Sequence, residues 1–135
     1  MSVVKELIRS EDNGAISFGN YELDSKQKLD NFSCQGDIYK VKTFGEITKL
    51  ERNGGFVYES VPGTAVFGLD VTEDGVSFSV EGPNDAQITL GVEEETEYKL
   101  TIDGNDAGNI KASLGGKITF GVELGDKAVE VKVTK

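Results

Sequence analysis

Between residues 64 and 133 the chain alternates seven times between an extended run and a turn, leaving no room for a helix. The runs are 64–71, 76–81, 86–90, 97–102, 107–112, 117–123 and 128–133. Each separator has turn chemistry: Glu73-Asp74-Gly75, Gly82-Pro83-Asn84-Asp85, Asp103-Gly104-Asn105, Gly115-Gly116 and Gly125-Asp126. Short strands at this spacing predict an all-β sandwich or barrel. Alternation selects an inward set: Val66, Val76, Phe78, Val80, Ile88, Leu90, Tyr98, Leu100, Ile102, Ile110, Ile118, Phe120, Val122, Val129, Val131 and Val133. Burying each of these is worth about 1.5–3 kcal/mol before conformational entropy is set against it.

The stretch 86–102 supplies a topological clue. An alternating strand (Ile88, Leu90) meets an acidic corner, and a second strand (Tyr98, Leu100, Ile102) follows. This is the layout of a chain leaving one sheet of a sandwich for the other, with Tyr98 placed to hydrogen-bond back to the corner's backbone.

Ahead of these runs, residues 1–62 predict a small antiparallel β-meander. Residues 3–9 fit either a short helix lined by Val4, Leu7 and Ile8 or an edge strand, with the strand favoured because Glu11-Asp12-Asn13-Gly14 follows as a hairpin turn and 15–23 as an extended run with a bulge near Gly19-Asn20. Residues 24–37 are polar, held only by Leu29 and Phe32, and read as the longest loop. Three strands are expected within 38–60, with Asn53-Gly54-Gly55 as a hairpin turn. Lys40, Lys42, Lys49 and Arg52 gather there, and Glu46 and Glu51 suggest cross-strand pairing as their use. Val61-Pro62-Gly63 is the candidate boundary between this meander, which has the option of packing into the same core, and a sandwich at 63–135.

Two resemblances follow. The run Gly91-Val92-Glu93-Glu94-Glu95-Thr96-Glu97-Tyr98 resembles the tyrosine-corner segment of fibronectin type III and immunoglobulin-like modules. Those families carry Leu, Pro, Thr and Tyr in the places of Val92, Glu94, Thr96 and Tyr98. With Asp103-Gly104 and Gly116-Lys117-Ile118-Thr119-Phe120, the same half is similar to β-sandwich modules appended to bacterial glycan-processing enzymes. That resemblance implies an immunoglobulin-like sandwich in a carbohydrate context. Ser17-Phe18-Gly19-Asn20-Tyr21 and Ser60-Val61-Pro62-Gly63-Thr64 resemble small bacterial proteins, some of which carry an endosialidase label. Sialidases grip the sugar carboxylate with three arginines and carry a tryptophan-ended repeat. This chain has only Arg9 and Arg52, and no tryptophan.

Composition narrows the chemistry. A net charge of −10 opposes binding to nucleic acid, where affinity comes from neutralising phosphates, and to anionic membranes. The chain contains no histidine, so the usual general base and zinc ligand are absent. Cys34, the single cysteine, can form no internal disulfide. No signal-peptide core or membrane-spanning run is visible, which implies a cytoplasmic protein unless it leaves the cell by a route the sequence does not mark.

The expected function is therefore a non-catalytic β-sandwich interaction module, acting by protein–protein contact or self-association. The alternative is a carbohydrate-binding module stacking sugars on Tyr21, Phe32, Tyr39 or Tyr58. More remote is a glycan hydrolase built on a carboxylate pair. No cofactor is expected. Calcium is the one metal the sequence suggests, at Asp103, Asn105 and Asp106 or at Glu93, Glu94 and Glu95.

Overall fold

A computed structural model describes residues 2–125 and 127–135, and shows an all-β protein of two antiparallel sheets packed face to face. Asp126, in the expected Gly125-Asp126 turn, lies outside the described residues. Thirteen strands are formed among the described residues: β1 (Ile8–Ser10), β2 (Ile16–Phe18), β3 (Gln27–Cys34), β4 (Asp37–Phe44), β5 (Ile47–Arg52), β6 (Gly55–Val61), β7 (Ala65–Thr72), β8 (Gly75–Glu81), β9 (Ala86–Gly91), β10 (Glu97–Ile102), β11 (Asn105–Lys111), β12 (Lys117–Val122) and β13 (Val129–Thr134). One sheet has the order β1-β2-β7-β8-β13-β10-β11 and the other β12-β9-β6-β5-β4-β3.

From Gly75 onward the chain is a two-stranded ribbon folded over itself. Antiparallel pairing joins β8 to β13, β9 to β12 and β10 to β11, and the fold-over then lays β13 beside β10. This is the winding of a jelly roll. In the immunoglobulin order the last strand instead joins the sheet of the third and sixth strands. Here β13 lies in the interior of the sheet that begins with β1.

The sequence on either side of Val61-Pro62-Gly63 enters both sheets. Strands β3 to β6 form the meander and β6 pairs with β9, whereas β1 and β2 extend the other sheet through β7. Both halves supply one continuous core, with Tyr58 fully buried at its centre. The Tyr58 ring meets Phe18 and Phe78 of the facing sheet edge-on, with centroids 5.2 and 5.6 Å apart. Such edge-to-face pairs are each worth about 0.5–1.5 kcal/mol beyond area burial. Every residue of the inward set is buried or packed against this core.

Three local expectations are corrected. Residues 24–37 are not one long loop, because Gln27–Cys34 pairs with β4 as the edge strand β3. Residues 3–9 give only the three-residue β1, since Leu7 at φ 74° interrupts extension. The run over 15–23 stops at Phe18: Gly19 turns at φ 101° and approaches the Thr64 carbonyl so closely that a Cβ would collide with it.

Candidate functional site

The residues proposed for stacking on sugars are used inside the protein. Tyr58 is completely buried and Tyr21 and Tyr39 are 9% exposed, while Phe32 is half-buried against the core. A stacking platform needs an open ring face, so these four side chains do not form one. Burial raises the pKa of all three tyrosines above the ordinary phenol value. The Tyr58 and Ser60 hydroxyls both bond the buried Thr64 hydroxyl, while the Thr48 hydroxyl, paired with that of Thr43, donates to the Thr64 backbone carbonyl.

The residues suggested for calcium serve the backbone instead. Asp103 and Gly104 form a left-handed hairpin turn at φ 51° and 79°. The Asp103 carboxylate accepts the Glu130 amide at 2.8 Å, and that of Asp106 accepts the Gly108 amide at 2.8 Å. Asn105 is directed at the Asp103 carbonyl at 3.5 Å. Among the described residues no three His, Cys, Asp or Glu side chains converge as metal ligands would. The Glu93 carboxylate forms an ion pair with Lys135. Its amide donates to the Tyr98 hydroxyl at 3.0 Å, across the corner where the chain changes sheets.

What the fold does assemble is the outer face of the β12-β9-β6-β5-β4-β3 sheet. In β4 the buried Tyr39, Val41 and Thr43 alternate with Ile38, Lys40, Lys42 and Phe44, which face outward. Cross-strand register then sets Lys28 opposite Lys42, Lys42 opposite Lys49, and Lys49 opposite Glu59. Three lysines thus stand in a row at strand spacing, about 4.8 Å per step. Lys40 lies alongside, opposite Glu51. The Lys42 pKa is lowered, first by partial burial and then by the charges of Lys26, Lys49, Lys28 and Lys40.

The row has apolar neighbours. Phe44 pairs with Ile47 on one side of it, and Val61, 52% exposed, continues that side on β6. Ile38 extends the face along β4 and is 48% exposed. Beyond Glu51 comes Phe56, whose ring lies 4.4 Å beneath the Lys117 ammonium.

Phe56 also opens on a cleft of about 580 Å³ at one end of the sandwich. The Glu73-Gly75 turn, the Gly91-Glu93 corner and the Gly115-Lys117 turn form its walls, and Arg52 and Lys135 reach into it. Arg52 pairs with Tyr39 and so occupies the phase opposite to the lysines, not the basic group expected from the sequence.

Sequence reasoning missed Lys28, Phe44, Ile47, Phe56 and Val61 as surface residues. Phe44 follows from the alternation of β4, whereas the places of Lys28, Ile47, Phe56 and Val61 depend on the register among β3, β4, β5 and β6, which no local pattern encodes. Comparison with family models, with curated proteins and with solved structures gave no match. No helix among the described residues is long and apolar enough to cross a membrane.

Proposed function

We propose that the protein is a non-catalytic interaction module that works by protein–protein contact through the outer face of its β12-to-β3 sheet. One observation carries this reading: apolar Phe44, Ile47 and Val61 lie exposed or half-exposed beside a row of mutually repelling lysines. Like charges placed directly opposite each other on a sheet destabilise it. Apolar side chains on a flat face gain nothing from water. A partner surface relieves both costs at once.

Site-specific photocrosslinking in the producing cells tests the reading. A benzophenone side chain replacing Ile47 is expected to give discrete protein adducts, to a second copy or to another protein. The same probe replacing Lys132, on the other sheet, is expected to give none. Absence of adducts at 47, or equal adducts at both positions, overturns the proposal.

A second reading, carbohydrate binding, is supported by Phe56 at the mouth of the end cleft, with Lys117, Arg52 and Lys135 around it. An acidic sugar would meet both a ring and cations there. Saturation-transfer NMR against uronic-acid oligosaccharides tests it: binding abolished by Phe56→Ala supports the reading, and no transfer from the cleft removes it.

A further inference from the structure

We infer that the lysine row is the docking surface for an extended acidic segment of a partner protein, laid on the outer face of the sheet along β4. The inference rests on the contact reading above and names the chemistry of the contact.

The first step is that Lys28, Lys42 and Lys49 face one another directly across three strands. Only Lys49 continues to a carboxylate in the same row, at Glu59. Lysine on an edge strand has an ordinary use, since it discourages strand-to-strand aggregation. That use accounts for Lys28 on β3, and for Lys26 just ahead of it. It does not account for Lys42 or Lys49, because β4 and β5 are interior strands. Glu51 is the one carboxylate lining the same shallow cleft as Lys28, Lys40, Lys42 and Lys49, so in a chain of net charge −10 this cluster keeps an excess of positive charge that an external anion would balance.

The second step concerns the shape of that anion. Along β4, Lys40 and Lys42 share a face, and successive residues on one face of a strand are about 6.7 Å apart. An extended peptide with an acidic residue at every second position presents carboxylates at that same repeat. Laid on the sheet face along β4, such a peptide brings its carboxylates over Lys40 and Lys42, with Lys28 and Lys49 one strand away on either side. Across the row the cations are lysines, point charges that take a carboxylate without requiring a planar fork. Two rings flank the row, Phe44 beside Lys42 and Phe56 at 5.9 Å from the Lys49 ammonium, so an acidic sugar is the competitor against which the peptide is tested.

The third step is range. At about 0.15 M salt the Debye length is about 8 Å, so the acidic loops elsewhere on the molecule are largely screened from a ligand seated on the row.

The probe is a peptide of alternating glutamate and valine, titrated into the full-length ¹⁵N-labelled protein, with polygalacturonate and duplex DNA as competitors. Expected are amide shifts confined to Gln27–Leu29, β4 and β5, with affinity falling between about 0.01 M and 0.15 M salt as the Debye length contracts from about 30 to about 8 Å. Lys42→Glu should weaken the peptide about tenfold, equivalent to about 1.4 kcal/mol. Lys132→Glu on the opposite sheet should leave it unchanged. Melting curves of both variants confirm that they remain folded. Tighter binding of DNA or polygalacturonate than of the peptide overturns the assignment to a protein partner. No shift on the row with any polyanion at low salt overturns the inference altogether. In that event adducts at position 47 would still stand for the contact reading, and their absence would remove that reading separately.

Discussion

The Tyr58 hydroxyl lies 2.8 Å from the Thr64 hydroxyl at the centre of the buried core, and Thr64 is in turn 2.8 Å from Ser60. Thr64 also binds Thr48 through its backbone amide and carbonyl, so this one residue ties β5 and β6 to the start of β7. A buried hydroxyl deprived of its partner costs about 1–3 kcal/mol. Thr64→Val removes the hydroxyl that Tyr58 and Ser60 both bond, and should destabilise the protein by about 2–3 kcal/mol. Tyr58→Phe leaves Thr64 its bond to Ser60 and should cost only about 1 kcal/mol. Urea unfolding midpoints of the two variants check the order.

The same tyrosine predicts an alkaline limit. Burial raises the Tyr58 pKa far above its ordinary value of about 10, against the opposing effect of its hydroxyl partners. Below about pH 10 both folded and unfolded chains keep the proton and stability is unaffected. Above it the unfolded chain ionises while the folded one does not, so stability falls as pH rises, by at most about 1.4 kcal/mol per unit for this group. Unfolding free energies measured between pH 9 and 12 should show the decline, with a shallower slope in Tyr58→Phe.

Tyr21 should behave in the opposite way. Its hydroxyl is buried without a hydrogen-bond partner among the described residues. Tyr21→Phe removes that unsatisfied group while keeping the ring, and should stabilise the protein by about 1 kcal/mol. Thermal unfolding beside Tyr58→Phe gives the contrast directly. A loss of stability in Tyr21→Phe would show that this hydroxyl is paired after all.

Replacing the central lysine of the row separates fold from function. Lys42→Glu puts a carboxylate between Lys28 and Lys49, exchanging two repulsive cross-strand pairs for two attractive ones. Each exchange is worth about 0.2–1 kcal/mol, so the variant should melt higher than the parent. The gain should shrink in high salt. If the lysines are only a solvated surface, stability rises and nothing else changes. If they dock an acidic partner, stability rises while binding weakens about tenfold.

Tyr98→Phe tests the corner. It removes the acceptor for the Glu93 amide and should cost about 1 kcal/mol, read from urea unfolding.

Much of the architecture can be read locally. The Tyr98 corner is specified within five residues, and hairpin turns at Asn53-Gly54 and Asp103-Gly104 place left-handed residues where the backbone needs them. The inward set emerges from simple alternation because both sheets bury one face. β3 escaped this logic: Gln27 to Asn31 are all exposed, so an edge strand resembles a polar loop. Without β3 as a strand, Lys28 has no position opposite Lys42, and the lysine row is invisible. Lys40 and Glu51 do come opposite each other in register, but among the described residues they do not close an ion pair. The rest of the site depends on register between strands, which is a property of pairs of segments.

The placement of β13 has a consequence for the order of events during synthesis. Because Val129–Thr134 slots between β8 and β10, those two strands have no neighbour on that side until the last of these residues has left the ribosome. A nascent chain stalled before residue 129 presents two bare ladder edges side by side, each a template for foreign strands. Its safety then depends on how quickly residues 129–134 follow.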